Sequence, residues 1–350
     1  MRPPHTESAW QPTADMATLH ARARLMTRVR AFFAERNVLE VETPVLGQGG
    51  STDVHLASLS SLAHTAAGRQ RLWLRTSPEF HMKRLLAAGS GPIYQLAKSF
   101  RDGEVGRRHN IEFTMLEWYR PGMGLAALME ETAALIRKLL PESVLPDGQT
   151  PLRCYAYREL FYDQLEIDPF SVPLVRLRRL AEERGSMPEG ALDDEPRDTC
   201  LDLLMSFVIE PNLGWGDAEQ GKAPGEKCQG KLVAVVDYPA SQAALARRHV
   251  DAYGDEVASR FELYFQGVEL ANGYDELTDA AEQQARFEAD NAERRELGFD
   301  EVDVDMRLVA ALDHGLPEGS GVALGLDRVI QLALGKYTLA EVMAFATPAC

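Results

Sequence analysis

The chain has 350 residues, 45% hydrophobic and 26% charged, with a formal net charge of −16. This suits a globular protein able to bury a large core, and no run approaches the roughly 18 apolar residues of a membrane span. The acidic balance argues against extensive contact with a nucleic-acid backbone, whose binding draws on Lys and Arg. The basic run Arg69, Arg71, Arg75, Lys83 and Arg84 reads as a solvated face.

Residues 1–15 are polar, carry Pro3, Pro4 and Pro12, and lack the layout of a secretory signal, so they read as a flexible N-terminus. Cys154, Cys200, Cys228 and Cys350 form no CxxC pair and read as reduced thiols of a cytoplasmic protein. Met16–Asn37 has apolar Leu19, Ala23, Met26, Val29, Phe32 and Phe33 at helical spacing. Val38–Thr43 reads as a strand stopped by Pro44, which cannot donate a ladder hydrogen bond. Further strands are predicted at Leu72–Arg75, Ile93–Phe100, Ile111–Arg120, Leu232–Tyr238, Arg260–Gln266 and Gly321–Leu326. Helices are predicted at Glu79–Ala88, Leu125–Leu140, Glu159–Leu165, Leu174–Arg184, Thr199–Ile209, Ser241–Arg248, Asp279–Leu297 and Asp327–Leu334. Strands arrive in blocks and hairpins, not in a β-α-β rhythm, so an α+β fold on an antiparallel sheet is expected. About 150–230 reads as a mostly helical insertion ending in a Gly-rich loop, residues 212–230, within one domain spanning 16–350.

Three stretches carry chemistry. In Ser99–Glu104 and Arg107–Tyr119, a hairpin places Arg101 and Phe113 on opposite strands, able to reach one nucleotide from two sides. An arginine fork suits a phosphate, and Phe113 offers a flat surface to a base. Glu117 and Tyr119 repeat at period two and can flank a cationic substrate. In Phe265–Glu276, Glu269 and Glu276 are hard oxygen donors of the kind that hold Mg²⁺ with phosphates. In Gly319–Arg328, glycines admit a ligand close to the backbone, and Arg328 opens a helix beside its positive N-terminal end.

Together these resemble the three motifs of the class II aminoacyl-tRNA synthetases: the segment ending Val41-Glu42-Thr43-Pro44, the hairpin Phe100-Arg101…Phe113, and Gly321…Gly325…Arg328. Arg75-Thr76-Ser77-Pro78-Glu79, His109–Glu117 and Glu269-Leu270-Ala271-Asn272-Gly273 are similar to the lysyl-tRNA synthetase branch, and the likeness runs from about 16 to 345. It implies an antiparallel sheet flanked by helices, and a homodimer. By resemblance, Arg101 and Arg328 are catalytic; Asp102, Gly103, Glu104, His109, Asn110, Phe113, Glu269, Leu270 and Gly325 join them around ATP. Ser77, Glu79, Glu117, Tyr119, Asn272, Glu276 and Ala323 would receive the amino acid, with Mg²⁺ on Glu269 and Glu276.

Three departures from the tRNA synthetase point to its truncated paralogues, which join (R)-β-lysine to a lysine of elongation factor P. Some 15 residues precede the first predicted helix, below the roughly 50 a domain needs, so no anticodon-binding domain is expected. The synthetase's ELND is Glu276-Leu277-Thr278-Asp279 here, and Ala323 replaces a glycine. The hairpin also has Gly103 where some members carry Glu, with the acid shifted to Glu104. The resemblance implies ATP-dependent activation of a lysine-like amino acid and transfer to elongation factor P, with tRNA not a partner. A minimal enzyme serving tRNA and a regulatory paralogue binding ATP or amino acid without catalysis stay open beside it.

Overall fold

Asp15 accepts the backbone N–H of Thr18 and starts α1 (Met16–Ala34), whose Leu25, Val29, Phe32 and Phe33 face inward. The computed structural model describes residues 10–54, 56–66, 68–145, 151–216 and 230–349. Residues 1–9 of the expected flexible N-terminus, 217–229 of the Gly-rich loop, Cys228 and Cys350 lie outside the described residues. The elements following α1 are β1 (Leu39–Glu40), β2 (Leu46–Gly47), β3 (Ser60–Thr65), β4 (Gly68–Leu74), α2 (Glu79–Ala87), β5 (Ile93–Phe100), β6 (Glu112–Pro121) and α3 (Leu125–Leu139). A helical segment then holds β7 (Arg153–Ala156), α4 (Tyr157–Leu165), α5 (Leu174–Gly185) and α6 (Arg197–Leu204). The chain closes with β8 (Val233–Pro239), β9 (Arg248–Val250), β10 (Glu256–Phe265), β11 (Val268–Asp275), α7 (Ala280–Glu296), α8 (Met306–Gly315), β12 (Gly319–Gly325) and α9 (Leu326–Ala333).

Among the described residues a nine-stranded sheet runs β1-β5-β6-β12-β11-β10-β8-β7, with β9 edging β10. Its centre is antiparallel, as the sequence predicts, while the β1–β5 and β7–β8 pairings near its ends are parallel. A separate small sheet holds β2, β4 and β3.

Strand register decides what each face does. One rung runs Gln95, Glu117, Ala323, Asn272 and Glu262 across five strands, and paired residues share a face. The next rung, Leu96, Leu116, Leu324, Ala271 and Leu263, points the opposite way. It meets α1, α3 and α9 in the main core, with Phe33, Leu135 and Ile330. Polar residues therefore line one face because alternation sends the apolar ones to the other. A second core joins α4–α6 to β8 and β10 through Phe161, Leu201, Val235 and Tyr264. A third packs α2, α7 and α8 through Met82, Phe287 and Leu312.

The sequence reading needs several corrections. Ser241–Arg248 is not a helix: it forms a short 3-10 turn at Ala240–Gln242 and then enters β9. Ala244 is left-handed there (φ 47°), and Ser241 and Gln242 bond Asp198 and Asp202 on α6 instead of continuing a helix. The helix predicted over Thr199–Ile209 changes to a π-turn at Met205–Ile209. Strands β3 and β7 and helix α8 escaped the reading, although Asp305 before Leu308, Val309 and Leu312 is a cap followed by an apolar stripe. The basic run is not one solvated face either. Arg75 donates to the carbonyls of Thr43 and Lys98, and Lys83 is buried.

Candidate active site

The polar face of the sheet opens into a cavity of about 1050 Å³, roofed by α2, α6, α7 and the loop after β2. Asp327, at the start of α9, accepts the backbone N–H of Thr114 (2.7 Å) and pairs with Arg22 of α1. That buried carboxylate ties α1, α9 and the β5–β6 hairpin together, and so sets Phe113 relative to Arg328.

At the nucleotide end, the Arg101 guanidinium lies over the Phe113 ring, 5.2 Å from its centroid, and is 3.5 Å from Glu104. Ser99 pairs with Phe113, so Arg101 lies beyond the strand end and folds back over the same ring. Arg328 donates to the Glu269 carbonyl (2.9 Å), to its carboxylate (3.3 Å) and to His109 Nε2 (2.8 Å). Burial first, then Arg328, pushes His109 below its usual value, so it receives this bond as a neutral ring.

Other expected ATP residues divide. Glu104, Asn110, Leu270 and Gly325 line the cavity. Asn110 is spent structurally, donating to the Glu112 carbonyl and accepting from the Thr347 N–H. Asp102 and Gly103 are not among the lining residues: the Asp102 carboxylate accepts the Gly103 N–H in the loop itself.

The expected Mg²⁺ residues Glu269 and Glu276 both line the cavity. They stand at opposite ends of β11, Glu269 paired with Arg328 and Glu276 with Lys83. Glu262, on the neighbouring strand, and Glu269 both act on Glu210, from the helical segment. Burial, then Glu262 and Glu269, raises Glu210 to about 7. Among the described residues no cluster of three His, Cys, Asp or Glu forms a protein-only metal cage. Glu262 is engaged by Arg260, Tyr238, Tyr264 and Asn272, whereas Glu269, part-exposed beside Arg328, is an oxygen donor of the kind that shares Mg²⁺ with phosphates.

At the other end lies a buried acidic pocket. Glu117 is 2% exposed, accepting from Ser77 Oγ (3.0 Å) and Tyr119 OH (2.6 Å). Ser77 Oγ also accepts the Glu79 backbone N–H, capping the entry to α2. Glu276 is 3% exposed, and one of its oxygens lies over Gly321, where an added Cβ would overlap both it and the Tyr119 ring. Burial, then Glu79, pushes Glu117 up to about 8; burial, against the pull of Lys83, raises Glu276 to about 7. Carboxylates this costly to ionise want cations. Ala323 sits between Glu117 and Asn272 on the rung, so its methyl forms part of the floor, and Asn272 donates to Glu262 (3.4 Å). Lys83, Glu262 and Glu210 were missed by sequence reasoning. The available signal for Lys83 was its place beside Met82 and Leu86 on the inward stripe of α2, four residues after Glu79.

A family model for class II tRNA synthetases (D, K and N) matches residues 11–348. The chain belongs to that class II synthetase family. Within it, it is similar to proteins named elongation factor P–(R)-beta-lysine ligase. The one from Mannheimia succiniciproducens is 44% identical over 341 residues, 97% of this chain and 98% of the relative. That from Histophilus somni is 46% identical over 339 residues, 96% and 97% of the two chains. That from Edwardsiella ictaluri is 45% identical over 341 residues, 97% and 98%. Among the described residues, no helix of this class II synthetase relative is long and apolar enough to cross a membrane.

Proposed function

We propose that this chain is an ATP-dependent ligase that activates (R)-β-lysine, or lysine, as its adenylate and transfers it to a lysine side chain of elongation factor P. The observation that carries the reading is the joining of two sites in one cavity. A phosphate-and-base end (Arg101, Phe113, His109, Arg328) meets a buried acidic end (Glu79, Glu117, Glu276) across the strands β6, β12 and β11. An amino acid with two ammonium groups suits the acidic end, and its carboxylate then points to Arg101.

The carboxylate oxygen attacks the α-phosphorus of ATP, the bond to the β-phosphate breaks, and pyrophosphate leaves. The neutral amine of the acceptor lysine then attacks the acyl carbon; AMP leaves, an amide forms and one proton is released. Arg101 stabilises charge developing at the α-phosphate, while Arg328 and His109 face the outer phosphates. Glu269 would help to hold Mg²⁺, which when bound offsets phosphate charge. The nucleophile is already ionised, so the residues act by positioning and charge stabilisation. A homodimer belongs to the same reading.

The test supplies purified chain with MgATP, labelled (R)-β-lysine or lysine, and either elongation factor P or tRNA. Label on the protein is expected. Efficient tRNA charging with no label on elongation factor P would overturn the reading.

A further inference from the structure

The acidic pocket contains an ammonium of the chain's own. Lys83 is 1% exposed, and its Nζ lies 2.6 Å from Glu79 Oε1 and 2.7 Å from Glu276 Oε2. Lys83 does not itself line the cavity; it stands behind Glu79 and Glu276, which do. Each carboxylate gives Lys83 one oxygen. The second oxygen of Glu276 is the one lying over Gly321 beside Tyr119.

Resting on the reading of this cavity as the amino-acid site, we propose that Lys83 is a positioning residue that fixes the charge of the pocket and thereby its preference for two-ammonium substrates. Ionised Glu79, Glu117 and Glu276 against one ammonium leave two negative charges, the number that a lysine-like amino acid neutralises. An amino acid with a neutral side chain cannot pair them all: one carboxylate stays either protonated, with its pairing lost, or charged and buried, which is strongly unfavourable. Without Lys83 the same penalty falls on the two-ammonium substrate.

The groups facing the Lys83 cluster are few enough to name. Glu79 comes from α2, Glu117 and Tyr119 from β6, and Tyr274, Asp275 and Glu276 from β11 and its end; Arg75 also acts on Glu117. Of the two groups that act most on Glu276, Lys83 favours its ionised form and Glu79 opposes it. Removing Lys83 therefore shifts the ionisation of the pocket upward in pH.

The experiment measures amino-acid-dependent pyrophosphate exchange against pH for wild type, Lys83→Met, Lys83→Arg and the double variant Lys83→Met/Glu79→Gln. Lys83→Met is expected to raise KM for the diamino acid at pH 7 at least about tenfold, the cost of leaving Glu79 and Glu276 without their buried partner. KM for ATP should stay within about twofold, because the nucleotide end is separate. The pH at which KM falls should move up in Lys83→Met and return towards wild type in Lys83→Arg, which restores the charge. The double variant deletes one cation and one carboxylate, so it keeps the pocket's net charge; its KM should stay raised through loss of the Glu79 carboxylate, but its pH midpoint should return towards wild type even if Lys83→Met alone fails to fold. A wild-type KM and pH profile in Lys83→Met would overturn the inference. So would a double variant whose midpoint is displaced as far as that of a charge-removing single variant. A wild type inert toward every diamino acid would instead overturn the proposed function, and this inference with it.

Discussion

Glu117 offers the sharpest test of the amino-acid site, because in the free protein burial and the neighbouring Glu79 hold its carboxyl up at about 8. To pair with a substrate ammonium it must ionise. At pH 7 a group with that value is roughly nine-tenths protonated, so binding of (R)-β-lysine or lysine should expel about one proton. Affinity should correspondingly rise about tenfold as the pH climbs from 7 to above 8. The same shift acts on the free fold with a definite sign. Between the usual carboxyl value of 4.5 and about 8, the folded chain binds more protons at Glu117 than the unfolded chain. Stability from this group is thus present at the low end of that window and lost as pH rises through its upper end. A bound diamino acid should reverse the loss. Calorimetric titration in two buffers of different ionisation enthalpy, at pH 6.5, 7 and 8 or at similar values spanning the window, reports the proton count directly. In Glu117→Gln the proton release should shrink sharply and affinity should fall. Affinity that decreased from pH 6 to 8, or binding without proton release, would refute the argued role of Glu117.

Three further outcomes are expected. Arg101→Ala should lower pyrophosphate exchange by about a hundredfold or more, the cost of losing a charge-stabilising donor at the reacting phosphate; near-normal exchange would contradict the assignment. Gly321→Ala should abolish diamino-acid binding while ATP still binds, since its Cβ would occupy the place of the Glu276 oxygen and the Tyr119 ring; isothermal titration with each ligand separates the two. Ala323→Gly should relax a preference for β-lysine over α-lysine by about 1–3 kcal/mol, the usual effect of a methyl-sized change in a pocket. The ratio of kcat/KM values for the two amino acids reads this directly.

Much of the fold was legible in the sequence because its signals are local. Two strand-like runs, Ile93–Phe100 and Ile111–Arg120, either side of a Gly-bearing loop marked the hairpin, and the spacing of Val29, Phe32 and Phe33 marked α1. Of the elements that escaped, β2, β7 and β9 are short, β3 is mostly exposed, and the partner of β7 lies far away in the chain. Ser241–Arg248 misled because its helix-forming composition is overruled by side-chain bonds to α6, which no local pattern reports.

The site shows the same division. Residue types and period determined that Arg101 and Phe113 share one hairpin and that Glu117 and Tyr119 share one face, since both follow from a few consecutive bonds. Which carboxylates meet was decided only by strand order and register. Placing β12 between β6 and β11 sets Glu117, Ala323 and Asn272 side by side, and the length of β11 parts Glu269 from Glu276. Charge was undecidable from sequence for a related reason. Lys83 belongs to a basic run along the chain, yet α2 rotates it inward while Arg69 and Arg71 stay exposed on β4. A residue's electrostatic role depends on what surrounds it in space, and only the packed sheet and helices supply those neighbours.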